Sequence, residues 1–444
     1  MQTDLMGTEK VSRLILKTGI PLMLSLLINS LYNFVDSVFV SRVAEDALTA
    51  LSLASPVQIL VSALGLGNAV GLNAAISKAL GEKKPEEVKK TANAAIFLAV
   101  CAWLLITAAC LAGVRWYFDW QSGGNETIAA YGRDYLSICM LFSLGQMGQW
   151  VFDRFVIASG KSHLFLFTLS AASITNLILD PIFIFTFGMG TRGAAIATVI
   201  GQFMGLFAGI VINLKWNREI PFSFSLKPDW PSVRRILKVG IPSTLVQVMT
   251  SFVSVIMNSI LLAFSSTAVA VYGVCSRMMG LCTVGVHGID NGLIPIVAYN
   301  YGARKPVRIQ SALKWAMICS GMFFIPFLLV LEIFPDAVLR LFSASDYMME
   351  IGIPAVRILA LAWLISIPGL VISAALQGLS LPSPSMLLTT LRQVILPVSL
   401  AALLRLTGNL TTVWFSFAIA EIICLPLARI LWTRNWKSLS ARLC

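Results

Sequence analysis

The sequence predicts an all-α polytopic membrane protein whose twelve transmembrane helices form two parallel six-helix lobes. Three observations carry this expectation. The 444 residues are 57% hydrophobic and 12% charged, whereas a typical soluble domain is about 25% charged. Several apolar runs exceed the roughly 18 residues that a spanning helix needs. Finally, the first half of the chain recurs in the second at a constant offset. No cleavable signal is expected, because the polar start "MQTDLMGTEKVSR" runs into apolar sequence without a small-residue cleavage site.

Charges and turn residues divide the apolar sequence into helices near 14–40, 47–79, 91–118, 128–159, 163–187 and 193–214. Six more follow near 233–264, 268–300, 309–334, 347–379, 384–405 and 410–433. Alternate connections differ in charge. Lys10, Arg13 and Lys17 mark the N-terminus, Lys83, Lys84, Lys89 and Lys90 the second loop, and Lys215, Arg218, Lys227, Arg234 and Arg235 the centre. Arg304, Lys305 and Arg308 follow in the eighth loop, and Arg434, Lys437 and Arg442 in the tail. The intervening loops carry few cations, so the positive-inside rule puts both termini in the cytoplasm of a plasma (inner) membrane. The net charge of +12 therefore reports topology. It forms no basic face interleaved with aromatics, and nucleic acid is not an expected partner.

The polar stretch 215–232 separates an N-terminal lobe, residues 1–214, from a C-terminal lobe, residues 233–444. "KTGIP" at 17–21 recurs as "KVGIP" at 238–242. At the same offset Gly67 and Gly71 meet Gly288 and Gly292, and "GEKKP" at 81–85 meets "GARKP" at 302–306. Both copies begin on the cytoplasmic side, so the repeat is parallel, about an axis along the membrane normal. Repeats of this kind mark secondary transporters, whose sites lie near the repeat interface.

Ionisable residues inside spanning helices cost at least about 2.5–3.5 kcal/mol and point to function. Asp36 lies 19 residues beyond Lys17, and Asp180 lies 19 beyond Lys161, so both carboxylates rise about 28 Å from the cytoplasmic side. Thr198, six residues past Arg192, descends about 9 Å from the outside and reaches nearly the same level. Asn176 lies one turn below Asp180 on the same helical face. Two carboxylates, an amide and a hydroxyl converge at this level. Such oxygens suit Na⁺, and two close carboxylates in a low dielectric also suit a shared proton. The second half matches Asp36 with Met257, as expected if the acid serves function rather than architecture.

The repeat, together with "YNFVDSVFV", "NLILDPIFIF", "RGAAIAT", "PIVAYNYGARKP" and "LRQVILPVSL", resembles the multidrug and toxic compound extrusion (MATE) transporters, closest to their bacterial multidrug branch. The resemblance covers nearly the whole chain and implies the MATE-type fold. It also implies cation binding or coupling at Asp36, Asn176, Asp180 and Thr198, the set that depth had grouped. The family commonly has Asn where Asp153 stands here, and the Glu that some branches carry on helix 7 is missing.

Tyr32, Asn33, Gln58 and Asp153 are further candidates for the cation site or its pathway, and His287, Asp290 and Asn291 for the substrate pathway. Arg357 and Arg392 are expected to serve packing, with Glu421 neutralising one of them. The expected function is Na⁺- or H⁺-coupled antiport, exporting organic cationic aromatic compounds by alternating access. The alternative is a lipid-linked oligosaccharide flippase of the same superfamily. Such proteins usually line the cavity with several Arg or Lys, where this chain offers mainly Arg277 and Arg357. No ATPase motif, HExxH or Cys/His metal spacing occurs, so neither an enzyme nor a cofactor beyond the coupling ion is expected. The partners are small molecules and the bilayer, and the chain is expected to act as a monomer.

Overall fold

The structure, a computed structural model, describes the backbone of residues 3–41, 45–122, 125–223, 228–340 and 345–443. Side chains at 1–5, 30–46, 48, 49, 52, 123, 124, 224–227, 251, 266, 341–344 and 440–444 lie outside the described residues.

Long apolar runs without interior polar breaks fold as helices, since a backbone surrounded by hydrocarbon must satisfy its own hydrogen bonds. In order they are α1 (Thr3–Thr8), α2 (Val11–Ser41), α3 (Glu45–Gly81), α4 (Pro85–Gln121), α5 (Glu126–Leu141) and α6 (Leu144–Ala158). Next come α7 (Ser162–Pro181), continued by a π-turn at Ile182–Thr186, then α8 (Gly190–Trp216), α9 (Trp230–Leu262) and α10 (Ser266–Cys282). The remainder is α11 (Val284–Gly302), α12 (Pro306–Ile333), α13 (Pro335–Arg340), α14 (Asp346–Gly378), α15 (Pro382–Thr390), a π-turn at Leu391–Ile395, α16 (Leu396–Leu404) and α17 (Leu410–Leu443).

Ten of these segments are individually long and apolar enough to cross a membrane, and the bent pair α10–α11 makes an eleventh. The expected span at 128–159 is also present, but as α5 and α6 broken at Phe142–Ser143. Counting it gives the twelve spans of the expected fold.

Several helices start a few residues before the apolar pattern does. Proline explains three of these starts. Pro85, Pro306 and Pro382 occupy the first helical turn, where a missing N–H costs nothing.

One turn recurs four times. Lys83, Gly160, Arg304 and Ser380 adopt positive φ, each two residues before a helix begins. The residue after each donates back across the turn, Lys84 N to Ala79 O, Lys161 N to Val156 O, Lys305 N to Asn300 O and Leu381 N to Leu376 O. These six-to-one bonds with a left-handed residue inside are Schellman caps. Three of the four positions are not glycine. Ser380→Gly is therefore expected to stabilise the protein by about 0.5–1 kcal/mol, once relief of the left-handed strain is set against glycine's entropy, and so to raise its thermal midpoint in detergent; an unchanged or lowered midpoint contradicts this.

By contacts the chain divides into two compact units, Met1–Met6 with Leu24–Thr244, and Gly7–Met23 with Leu245–Cys444. The chain thus passes between units inside α2, after Met23, and inside α9, after Thr244. These two positions are related by the repeat offset, and each follows a repeated proline, Pro21 or Pro242.

Small residues explain the packing within each unit. In the first, Gly71 lies so close to α9 that an added methyl would enter the Ile236 carbonyl oxygen and sit 3.0 Å from Gly240 N. In the second, a methyl on Gly288 would stand 2.7 Å from Met23 N on α2. The repeated glycines let backbones meet, which is how membrane helices associate where the hydrophobic effect is weak. Around the first contact, Ile76, Phe118, Leu136, Phe155 and Ile236 are fully buried in one core.

Candidate cation site in the first unit

Asn176 and Asp180 are four residues apart on α7, so their side chains share one face. That face meets α8. Gly201 permits the approach, since a methyl there would lie 2.8 Å from Ala172 O and 3.2 Å from Asn176 Cβ. Thr198 is one turn from Gly201 on α8 and points at the same place. Asp180 is 0% exposed, Asn176 3% and Thr198 8%.

The amide orientation of Asn176 is set by its hydrogen bonds. With Nδ2 toward the acid it donates to Asp180 Oδ2 at 2.7 Å, and its oxygen accepts from Thr198 N at 3.1 Å and Oγ1 at 3.2 Å. One amide thus ties the carboxylate to the hydroxyl. Pro181 follows at once and cannot donate to the Leu177 carbonyl one turn back. The π-turn at Ile182–Thr186 comes next, a feature frequent at functional sites. Carboxylate, amide and hydroxyl all offer hard oxygen donors, suited to a small cation or a proton.

Asp36, Tyr32 and Asn33 lie outside the described residues, although the backbone of α2 carries them. Asp153, on α6, meets Thr168 Oγ1 at 2.5 Å. Thr168 is two turns below Asn176 on α7, about 12 Å away along the axis, so Asp153 forms a separate group. Gln58 Nε2 donates to Tyr135 Oη at 3.2 Å, joining α3 to α5.

His287, Asp290 and Asn291 all lie on α11 in the second unit. Asn291 Nδ2 donates to the His287 carbonyl at 2.8 Å. His287 is exposed and Asp290 is 8% exposed. Arg392 Nη1 meets Glu421 Oε1 at 2.9 Å, whereas Arg357 reaches Glu332 at 4.0 Å. Sequence reasoning does not single out Thr168 or Gly201. A polar residue two turns from the cluster and a glycine among apolar neighbours carry no signal until the helices are placed.

An almost wholly helical chain with repeat-related halves and a buried polar cluster at membrane depth defines a polytopic membrane transport protein. The chain belongs to the MatE family, whose model matches residues 21–182 and 242–403. It is similar to the multidrug export protein MepA of Staphylococcus aureus (strain bovine RF122 / ET3-1), 24% identical over 417 residues that cover 93% of this chain and 91% of the relative. Among solved structures it resembles an outward-facing multidrug resistance MATE transporter of the MOP superfamily, with TM-score 0.91 and 24% identity over 97% of both chains. It also resembles a MATE in complex with MaL6, with TM-score 0.92 and 24% identity over 99% of both chains. At this identity the structural likeness establishes the MATE-type fold.

Proposed function

We propose that the protein is a Na⁺- or H⁺-coupled antiporter that exports organic cationic aromatic compounds from the cytoplasm. The relatives named as multidrug exporters support the substrate class. The observation that carries the coupling is the buried trio Asn176, Asp180 and Thr198, joined through one amide. A buried carboxylate with 0% exposure, joined through one amide to a hydroxyl, gathers hard oxygen ligands for a cation or a proton inside spanning helices, where ionisable residues mark function.

A cation arriving from outside neutralises Asp180 and draws the oxygens of Asn176 and Thr198 to itself. Asp36 supplies the second carboxylate from α2, at the level the depth arithmetic gives. Because α2 runs through both units, a change in charge beside it is felt along a helix common to them. The cation shifts the conformational balance only by its differential affinity for the two states. Both termini are cytoplasmic in a plasma (inner) membrane, and the monomer is the working unit.

The test is ethidium efflux from proteoliposomes under separately imposed Na⁺ and H⁺ gradients. One gradient is expected to drive efflux and the other not. Efflux that ignores both gradients, or flipping of a lipid-linked sugar without ethidium transport, defeats the proposal.

A further inference from the structure

With Asp153 ionised, the bridge between α6 and α7 is one proton short. Asp153 is 2% exposed on α6, and its Oδ1 lies 2.5 Å from Thr168 Oγ1 on α7. Its Oδ2 is buried without a partner. The same threonine hydroxyl reaches the Phe165 carbonyl at 2.8 Å. A hydroxyl has one proton to give, and a carbonyl oxygen can only accept. Threonine inside a helix commonly gives that proton to a carbonyl of its own preceding turn. The contact with Asp153 then needs a second proton, and the acid is the group that can carry it.

Both helices are packed closely at this point by α8, whose Gly201, Gly205 and Gly209 share one face. A methyl at Gly201 would stand 3.2 Å from Asn176 Cβ, and one at Gly209 would stand 3.0 Å from Phe152 Cβ and 4.0 Å from Thr168 Cγ2. The acid thus sits beside the strip of α8 that also carries the Asp180 cluster, two turns further along.

The second unit makes a similar bridge without an acid. Its hairpin α14–α15 turns at Ser380 with the kind of six-to-one bond that closes α6–α7 at Gly160. Ser373 stands seven residues before Ser380, as Asp153 stands seven before Gly160. Ser373 Oγ meets Thr389 Oγ1 at 2.8 Å, and Thr389 donates to the Ser385 carbonyl at 2.9 Å. Thr389 is nine residues past its turn and Thr168 eight past its own, so the bridges match in kind and differ by one residue in register. There a neutral O–H group faces the threonine. A protonated Asp153 is the same kind of group.

We propose that Asp153 and Thr168 form a second proton-binding site in the first unit, where the acid is held as a neutral carboxylic acid and donates to the threonine hydroxyl. An ionised Asp153 would set a bare carboxylate oxygen in a desolvated interior, which is strongly disfavoured. Among the described residues it has no ion-pair partner, and the charged group in its field is Arg154, the next residue on α6. Among the described residues α3, α4, α7 and α8, which pack against α6, bring no other charge to it. Gln149, one turn earlier on the same face, brings a neutral amide but no hydrogen bond to Oδ2. The site is distinct from the Asp180 cluster and does not depend on the antiport proposal.

The experiment is infrared spectroscopy of the protonated-carboxyl C=O stretch, on the purified full-length protein in lipid nanodiscs at neutral pH. Asp153→Asn keeps the shape of the acid and an N–H to donate to Thr168, and is expected to lose one carboxyl's absorption relative to wild type. Asp180→Asn is expected to retain the band that Asp153→Asn loses. Thr168→Val removes the acceptor and leaves the acid, so the band should persist at a displaced frequency. An unchanged carboxyl region in Asp153→Asn overturns the proposal, and so does an unmoved band in Thr168→Val. Should Asp153→Asn not fold, Thr168→Val decides the matter by the same criterion.

Discussion

Asp180→Asn is expected to uncouple ethidium export from the ion gradient while leaving the protein folded. The amide matches the carboxylate in shape and keeps an oxygen to accept from Asn176, so the α7–α8 contact survives. What disappears is the charge that a cation seeks. Coupling free energies between sites run to about 1–3 kcal/mol, so gradient-driven efflux should fall by about 5- to 150-fold. The thermal midpoint should hold or rise, because a neutral group is cheaper to bury than a charge. Asp180→Leu separates the two effects. It leaves Asn176 and Thr198 without their acid and should also lower stability, by about 0.6–1.7 kcal/mol for a hydrogen bond between membrane helices. Undiminished gradient-driven efflux by Asp180→Asn contradicts the role given to the acid.

Gly71→Val is expected to prevent assembly of the first unit. The branched side chain would enter the Ile236 carbonyl and the Gly240 amide, and neither is a flexible tip that can turn aside. Overpacking of ordinary cores costs about 1–3 kcal/mol; a backbone collision belongs at or above the top of that range. The expected result is loss of the monodisperse peak in size-exclusion chromatography. Gly113→Val is the control, since nothing lies within 4 Å of a methyl at Gly113, and it should elute as wild type does. Normal elution of Gly71→Val contradicts the close α3–α9 contact.

These two variants also show what the sequence could convey. The glycines at 67, 71, 288 and 292 are legible as a repeat, but their purpose depends on which helix lies opposite. The spans are legible because lipid imposes one pattern on all of them. Their breaks are not, since apolar residues run through Phe142–Ser143 and through Thr283 without a change of period. At Thr283 the hydroxyl donates to the Met279 carbonyl at 2.7 Å, a bond that bends helices, and α10 meets α11 at 48°.

In the cluster, Asn176 and Asp180 are readable because a single helix places them, and Thr198 because depth is a matter of counting. Contacts that depend on how helices rotate about their axes are not readable. Hence Asp153 gave no sign that Thr168 is its partner. Likewise the sequence anticipates that Glu421 neutralises an arginine, while only the structure selects Arg392 over Arg357.

The central claim is that export is exchanged for a cation at Asp180, and coupled flux tests it most directly. Proteoliposomes lacking any imposed ion gradient are given ethidium on one side, and Na⁺ and H⁺ movements are followed on the other. The account predicts that ethidium moving down its gradient drives one of these cations the opposite way, and that Asp180→Asn abolishes the cation movement. Ethidium flux through the wild type with no movement of either cation would contradict it.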